Sequence, residues 1–201
     1  MNASAASRFC LLIFLLLPSL PVSAQENAKP VVSIEREDSF FKVYASIVLP
    51  VKPCIAYRLL TDYKSLPGYI PGMLQIRHKR ISPTRVDIWQ EGEVEVLFFR
   101  ARLVSSLEME ETPERRITFN QTDGDLESYS GEWNLSKTRE GTKISYNAAI
   151  TLKAGQLIPT FLAKSVLKNE VAKRFEALAK ESAKRKNTVV PECVTSKIRP
   201  E

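Results

Sequence analysis

The chain has 201 residues, of which 44% are hydrophobic and 26% charged, and 29 lysines and arginines against 23 acidic residues give a formal net charge of +6. This length supports one hydrophobic core and is short for two. Beyond the first 24 residues the chain has one histidine and two cysteines, too few for a zinc cluster of four such ligands. No catalytic triad or glycine-rich phosphate loop stands out either, so we expect no metal, no cofactor and no catalytic set.

The first 24 residues have the order of a secretory signal peptide. Arg8 is followed by an apolar run over 9–17, two prolines and a small-residue stretch that ends at Ala24. This order predicts cleavage after Ala24 and export to the periplasm or the medium. The alternative is an uncleaved membrane anchor, although the apolar run is well short of the roughly 20 residues that a bilayer-spanning helix needs. The mature chain would keep 28 basic and 23 acidic residues and begin with a flexible lead-in over 25–30.

Residues 31–49 are predicted to form the first strand, because apolar residues occupy every second position from Phe41 to Leu49. Pro50 and Pro53 end it. A short helix is predicted next, over 54–63, from apolar residues at helical spacing. The prolines and glycines of 63–72 then predict a kinked turn of helix and a loop.

Six more strands are predicted, over 73–81, 85–96, 100–110, 115–122, 126–136 and 142–152. Short turn sequences separate them, and each strand carries its apolar residues on one parity, which predicts an antiparallel meander with one apolar and one solvated face. Glu91, Glu93 and Glu95 fall on the parity opposite to the core. They are expected to form a solvated strand surface and not an acid–base pair.

A long helix is predicted over 159–186. Its apolar residues recur at spacings of four and three: Ala163, Leu167, Val171, Phe175 and Leu178. The basic residues between them favour a solvated surface, with a peripheral membrane contact as the alternative. Export argues against a nucleic-acid partner. Residues 188–201 are predicted to form an irregular tail.

Loss of the signal would remove Cys10 and leave Cys54 and Cys193. Disulfides persist outside the cytoplasm, where free exposed thiols are a liability, so we expect these two residues to pair. The bond would stabilise the fold by roughly 5 kcal/mol at most through chain entropy. The alternative is two unrelated thiols, one buried and one on the tail.

Local sequence also carries a family resemblance. Residues 45–72 resemble the opening of the polyketide cyclase/dehydrase and coenzyme Q-binding START-like proteins, in which a strand leads to a helix ending in an Asp-Tyr pair, here Asp62-Tyr63, and then to two prolines. Residues 131–135 and Ile158-Pro159 are similar to later parts of that pattern. The resemblance implies an α+β helix-grip fold of the START/Bet v1-like type over 31–187. In that fold about seven antiparallel strands curl around a long C-terminal helix, and two short helices follow the first strand.

The resemblance implies a cavity between the sheet and the last helix. Its expected lining consists of Ile88, Phe119, Trp133, Tyr146 and Leu167. The expected mouth combines the kinked segment with the turn opposite: Tyr63, Tyr69, Ile70 and Met73 with Phe98 and Phe99. The alternative is that these side chains fill the core completely, since protein interiors are normally close-packed.

The expected function is therefore an exported, non-catalytic binder or carrier of an apolar small molecule such as a lipid or an isoprenoid. One alternative is an enzyme of cyclase or dehydratase type, for which Gln90, Gln121 and His78 are scattered polar candidates. A lone inward histidine is more often a core or rim residue than a base. The other alternative is a docking protein that presents its basic helix.

Overall fold

The computed structural model describes residues 29–153, residues 160–186 and Cys193. The predicted signal with its cleavage site at Ala24, the motif residues Ile158 and Pro159, and the tail other than Cys193 lie outside this part of the chain. No helix within the described residues is long and apolar enough to span a bilayer.

Eight antiparallel strands form a single sheet in the order β1-β2-β8-β7-β6-β5-β4-β3. Strands β3 to β8 are a meander in which each strand pairs with the next, as predicted, and β2 then pairs with β8 to place the β1–β2 hairpin at one end. The strands are β1 Val31–Glu37, β2 Phe40–Leu49, β3 Met73–Arg80, β4 Arg85–Val96, β5 Phe99–Thr112, β6 Arg116–Gly124, β7 Ser128–Lys137 and β8 Thr142–Thr151.

The segment predicted as one strand over 31–49 is a hairpin, which raises the strand number from about seven to eight. The chain turns at Asp38, whose φ of 46° lies in the left-handed region. Aspartate tolerates that region better than most residues do. Neither glycine nor proline marks this turn in the sequence, and the alternation of apolar residues continues directly after it.

Two short helical segments follow β2, and a long helix closes the fold. Helix α1 spans Pro53–Thr61 and has proline in its first turn, where the missing N–H leaves no intrahelical bond unmade. A 3₁₀ turn over Leu66–Gly68 provides the predicted kink. Helix α2 spans Thr160–Arg185 and at 26 residues is about 39 Å long.

The core lies between α2 and the inner face of the sheet. The inward residues of β2 and β8 are buried along the whole length of both strands. On α2, Phe175 is fully buried and stacks against Trp133 of β7, with 5.5 Å between the ring centroids. Since α2 also contacts β1, β2, β4 and α1, the helix lies across the sheet in the predicted helix-grip arrangement.

Cys54 of α1 and Cys193 form a disulfide, with their Cα atoms 5.7 Å apart and a sequence separation of 139. The bond joins the chain beyond α2 to α1. The predicted pairing is therefore present in the structure.

Candidate functional site

Two cavities lie between α2 and the inner face of the sheet. The α2-side cavity has a volume of about 130 Å³ and is bounded by the first half of α2 and by β4, β5, β7 and β8. The α1-side cavity has a volume of about 120 Å³ and is bounded by the end of α1, the 3₁₀ turn, the central strands and the second half of α2. Four residues line both cavities and form the wall between them: Met73, Gln90, Tyr129 and Arg174.

Most of the predicted pocket residues lie on these walls. Six line the α1-side cavity: Tyr63, Ile70, Met73, Ile88, Phe119 and Trp133. Tyr146 and Leu167 line the α2-side cavity, together with Met73.

Three predicted residues line neither cavity. The Tyr69 hydroxyl donates to the Leu59 carbonyl oxygen at 2.6 Å, and the Arg185 guanidinium lies 5.3 Å from the centre of the Tyr69 ring. Phe98 is 96% exposed and Phe99 41% exposed, because both residues lie at the tip of the β4–β5 hairpin. The kinked segment and this hairpin tip therefore do not form one continuous mouth.

The kinked segment closes onto β4 through two glycines. Gly72 has a φ of 74°, which glycine adopts without strain, and a Cβ at this position would collide with the Glu93 carbonyl oxygen. The Glu93 N–H donates to the Gly72 carbonyl oxygen at 2.7 Å. A Cβ at Gly92 would lie 2.9 Å from that same oxygen. Since both glycines line the α2-side cavity, this close backbone contact forms part of its wall.

Two tyrosine hydroxyls meet at the cavity wall. Tyr129 on β7 and Tyr146 on β8 have their hydroxyl oxygens 2.8 Å apart. Burial raises the pKa of both hydroxyls, because a tyrosinate would lose its hydration there. The pair therefore stays protonated at neutral pH and acts by hydrogen bonding rather than as a base.

Arg174 places a positive charge between the cavities. Its Nε is buried without a hydrogen-bond partner, and Arg174 forms no ion pair within the described residues. Arg174 lines the α2-side cavity together with Tyr129 and Tyr146, and its positive charge opposes the rise in the pKa of both tyrosines. We did not predict Arg174 as a site residue. Its spacing in the sequence could have indicated this position. Arg174 lies three residues after Val171 and four before Leu178, which places it on the apolar face of the helix.

Glu111 on β5 is a buried charge that is fully paired. Its side chain is 3% exposed and accepts hydrogen bonds from the Tyr57 hydroxyl at 2.9 Å, from the Tyr63 hydroxyl, and from Arg80 Nη2 at 3.0 Å. Burial first, and then the Glu111 carboxylate, raises the pKa of both tyrosines, so they remain donors. This cluster was also missed, although Glu111 shares the inward parity of Met109.

The model of a known family, described as polyketide cyclase/dehydrase and lipid transport, matches residues 49–179. The chain belongs to this family. A comparison with curated protein sequences found no match.

Solved structures place this member of the polyketide cyclase/dehydrase and lipid transport family among START-like folds. The Zhui aromatase/cyclase of Streptomyces sp. R1128 superimposes with a TM-score of 0.64 at 13% identity, covering 74% of this chain and 97% of that one. A START superfamily protein of Mycobacterium smegmatis gives 0.60 at 11% identity, with coverages of 71% and 97%. A STAR-related lipid transfer protein of Xanthomonas axonopodis gives 0.56 at 12% identity, with coverages of 76% and 98%. These identities establish the shared fold.

The polar residues considered for catalysis are dispersed in this family member. His78 is exposed on the edge strand β3, with its ring 5.4 Å from that of Tyr63. Gln121 donates from Nε2 to the Leu126 carbonyl oxygen at 2.8 Å and lines neither cavity. Gln90 lines both cavities. Within the described part of the chain, no group of three or more His, Cys, Asp or Glu side chains is placed to hold a metal ion.

The three alternating glutamates of β4 form ion pairs with basic side chains. Their partners are Arg102 for Glu91, Arg100 for Glu93, and Arg100 and Lys173 for Glu95. Lys173 lowers the pKa of Glu95, mainly through the hydrogen bond between them. Glu95 is exposed, as the alternation predicted, whereas Glu91 and Glu93 are half-buried. Glu91 also lines the α2-side cavity, so the prediction of a solvated surface was wrong at that position.

Proposed function

We propose that this protein is a non-catalytic carrier that holds an apolar small molecule, such as a lipid or an isoprenoid, between α2 and the sheet. The observation that carries the proposal is the pair of adjoining cavities with mainly apolar and aromatic walls. Burial of a ligand chain in such a space contributes roughly 0.8 kcal/mol per methylene. Affinity therefore requires few polar contacts.

The size and arrangement of the cavities favour an extended ligand. Each volume, about 130 Å³ or about 120 Å³, is below the ~300 Å³ at which sites for drug-sized ligands begin. A longer chain would have to pass the shared wall at Met73, Gln90, Tyr129 and Arg174. Two of these side chains, Met73 and Arg174, are flexible, and movement of either would connect the two spaces.

The polar groups support transport over catalysis. General acid–base chemistry needs a titrating group within reach of the reacting atom, whereas the cavity tyrosines stay protonated and His78 is exposed outside both cavities. The fold does not decide the question, since similar structures include a protein named as an aromatase/cyclase and one named as a lipid transfer protein.

A cavity-filling substitution tests the proposal. Val171 of α2 lines the α2-side cavity, so Val171→Trp should fill part of the space and weaken binding of a polarity-sensitive fluorescent lipid by roughly tenfold or more. The matched control is Val48→Trp, at a β2 position of outward parity. Fluorescence titration of delipidated protein measures the affinities, and thermal melting checks that both variants fold.

Equal binding by wild type and Val171→Trp would contradict a ligand that extends into the α2-side cavity. Failure of the wild type to bind any lipid probe, together with no lipid in solvent extracts of the purified protein by mass spectrometry, would contradict the proposed function itself.

We also propose that the protein works after export. The signal-like order of residues 1–24 and the Cys54–Cys193 disulfide both support an oxidising compartment. Amino-terminal sequencing of the protein from cell fractions should find a chain that begins at Gln25. A cytoplasmic protein that retains residues 1–24 would contradict export.

An exposed apolar tip favours a membrane surface as the place where cargo is exchanged. Leu97 and Phe98 in the β4–β5 turn are 67% and 96% exposed, and Phe161 at the start of α2 is 81% exposed. The neighbouring residues Leu162 and Val166 pack against the end of this hairpin, and Val166 also lines the α2-side cavity. Apolar side chains beside basic residues are typical of peripheral membrane contacts.

Vesicle flotation tests this contact. Phe98→Ser with Phe161→Ser should lower the fraction bound to vesicles that contain anionic phospholipid, whereas Leu74→Ser, an exposed leucine on β3, should not. Unchanged binding by the double variant would remove the proposed tip contact and leave the cavity proposal intact.

A further inference from the structure

Arg174 is a half-buried cation on the cavity wall that forms no ion pair with another described residue. Arg174 faces both cavities, with its Nε buried and without a partner in that part of the chain. Arginine stays protonated at any pH at which proteins fold. An unpaired charge in an apolar cavity is unfavourable unless something that enters the cavity pairs with it.

The polar groups around Arg174 can donate hydrogen bonds to the oxygen atoms of a ligand. Each of the Tyr129 and Tyr146 hydroxyls carries one hydrogen, and their mutual bond uses only one of the two. The other hydroxyl hydrogen has no acceptor among the described residues. The side chain of Gln90 reaches the same wall from β4 and offers two more amide hydrogens. The Arg174 guanidinium, one tyrosine hydroxyl and the Gln90 amide therefore lie on the same wall. Each has hydrogens to donate, and none has an acceptor among the described residues.

The distribution of negative charge identifies the cavity that would hold the apolar chain. Glu170 lines the α2-side cavity, but Lys173 binds its carboxylate at 3.2 Å. Glu91 lines the same cavity and pairs with Arg102. No acidic residue lines the α1-side cavity among the described residues, where Arg174 is the only charged lining residue. The remaining wall there is apolar or aromatic, apart from Gln90 and the tyrosine hydroxyls.

We propose that Arg174 binds the carboxylate of an amphipathic ligand whose hydrocarbon chain occupies the α1-side cavity. The two oxygens of a carboxylate match the fork of the guanidinium, and the free hydroxyl hydrogen and the Gln90 amide would supply further donors. This inference rests on the proposed carrier function and specifies its ligand as a fatty-acid-like monocarboxylate.

Calorimetric titration with two ligands of equal chain length, decanoate and decanol, tests the assignment on delipidated protein. The wild type should bind decanoate roughly tenfold to a hundredfold more tightly than decanol, which corresponds to one or two charge-assisted hydrogen bonds. Arg174→Gln should remove this preference by weakening decanoate binding far more than decanol binding, whereas Arg174→Lys should retain part of the preference. Lys180→Gln, an exposed basic residue of the same helix, should behave as wild type.

The outcomes separate this inference from the function on which it rests. Equal affinity of the wild type for decanoate and decanol, or a preference that survives in Arg174→Gln, would overturn the assignment and leave the apolar carrier intact. Absence of binding by both ligands would overturn both. Because a folding defect would also abolish binding, Tyr129→Phe supplies a second variant, for which we expect a smaller, severalfold loss of decanoate affinity.

Discussion

Glu111 and Arg174 are charged side chains on the inner side of the fold, Glu111 beneath α1 and Arg174 on α2, and their surroundings differ. Glu111 accepts hydrogen bonds from two tyrosine hydroxyls and a guanidinium. Arg174 has a buried Nε with no partner among the described residues. A fully satisfied buried charge rigidifies the structure around it, whereas an unsatisfied one is unfavourable until a ligand arrives. The comparison separates a region whose charge is satisfied within the protein from the region that we propose binds a ligand.

The two regions also differ in their covalent support. On the Glu111 side, Tyr57 belongs to α1, and α1 is tied to the chain beyond α2 by the Cys54–Cys193 bond. On the Arg174 side, the walls of the α2-side cavity come from elements held by packing, hydrogen bonds and ion pairs such as Lys173–Glu95, with no disulfide among the described lining residues. Loss of a stabilising group should therefore lower the free energy of unfolding most at the α1 end.

The largest effect is expected from removal of the disulfide. Cys54→Ser with Cys193→Ser should lower the free energy of unfolding by about 3–5 kcal/mol, since the bond constrains a separation of 139 residues in the unfolded chain. Urea unfolding of both proteins measures the difference, and reduction of the wild type should reproduce it. A loss below about 1 kcal/mol would show that the α1 end does not depend on this link.

Removal of the paired charge should be the next largest change. Glu111→Ala leaves two tyrosine hydroxyls and the partly exposed Arg80 without their acceptor, and should lower the free energy of unfolding by about 2–4 kcal/mol. Glu110→Ala changes the exposed neighbouring residue and should stay within about 0.5 kcal/mol of wild type. Similar values for the two variants in urea unfolding would refute a stabilising role for the Glu111 cluster.

Removal of the unpaired charge of Arg174 should change the free energy of unfolding in the opposite direction. Arg174→Met replaces a half-buried cation with a buried, unpartnered Nε by an apolar side chain of similar length. It should raise the free energy of unfolding of the ligand-free protein by about 1 kcal/mol. Lys180→Met, at an exposed position of α2, is the control. Destabilisation by Arg174→Met would mean that Arg174 is satisfied within the protein, and the contrast with Glu111 would fail.

Alkaline pH should produce the smallest effect. Burial raises the pKa of Tyr63 above its ordinary value of 10.0, so above that pH the unfolded chain releases the proton first. The stabilisation is fully present below pH 10 and falls as the pH rises toward the folded-state pKa, by at most about 0.8 kcal/mol half a pH unit above 10. The decline in unfolding free energy from pH 8 to 10.5 should be correspondingly shallower in Tyr63→Phe. Tyr44→Phe, at an exposed residue, should retain the slope of wild type.

Much of the architecture was predictable because it follows from short-range periodicity. The alternation from Phe41 to Leu49 identifies β2, and the apolar stripe from Ala163 to Leu178 identifies α2. The β1–β2 turn was missed because it depends on one left-handed aspartate, Asp38, rather than on glycine or proline. Element type thus depends on many residues together, whereas a turn depends on one or two.

Prediction of the site was less complete. Inward parity and the family resemblance identified cavity residues such as Phe119 and Trp133. The same reasoning placed Phe98 beside the cavity, although it lies in solvent at a hairpin tip. Arg174 was passed over because a charge on a helix is normally assigned to its solvated face.

By itself, the sequence determined which segments form strands and helices, which parity of each strand faces inward, and which family the chain resembles. Each of these properties follows from the pattern of residues within a short segment. Only the tertiary structure decided that Arg174 shares the wall of the α2-side cavity with Gln90, Tyr129 and Tyr146. These residues come from α2, β4, β7 and β8. Whether a buried charge finds a partner depends on how distant elements pack, and no local pattern contains that information.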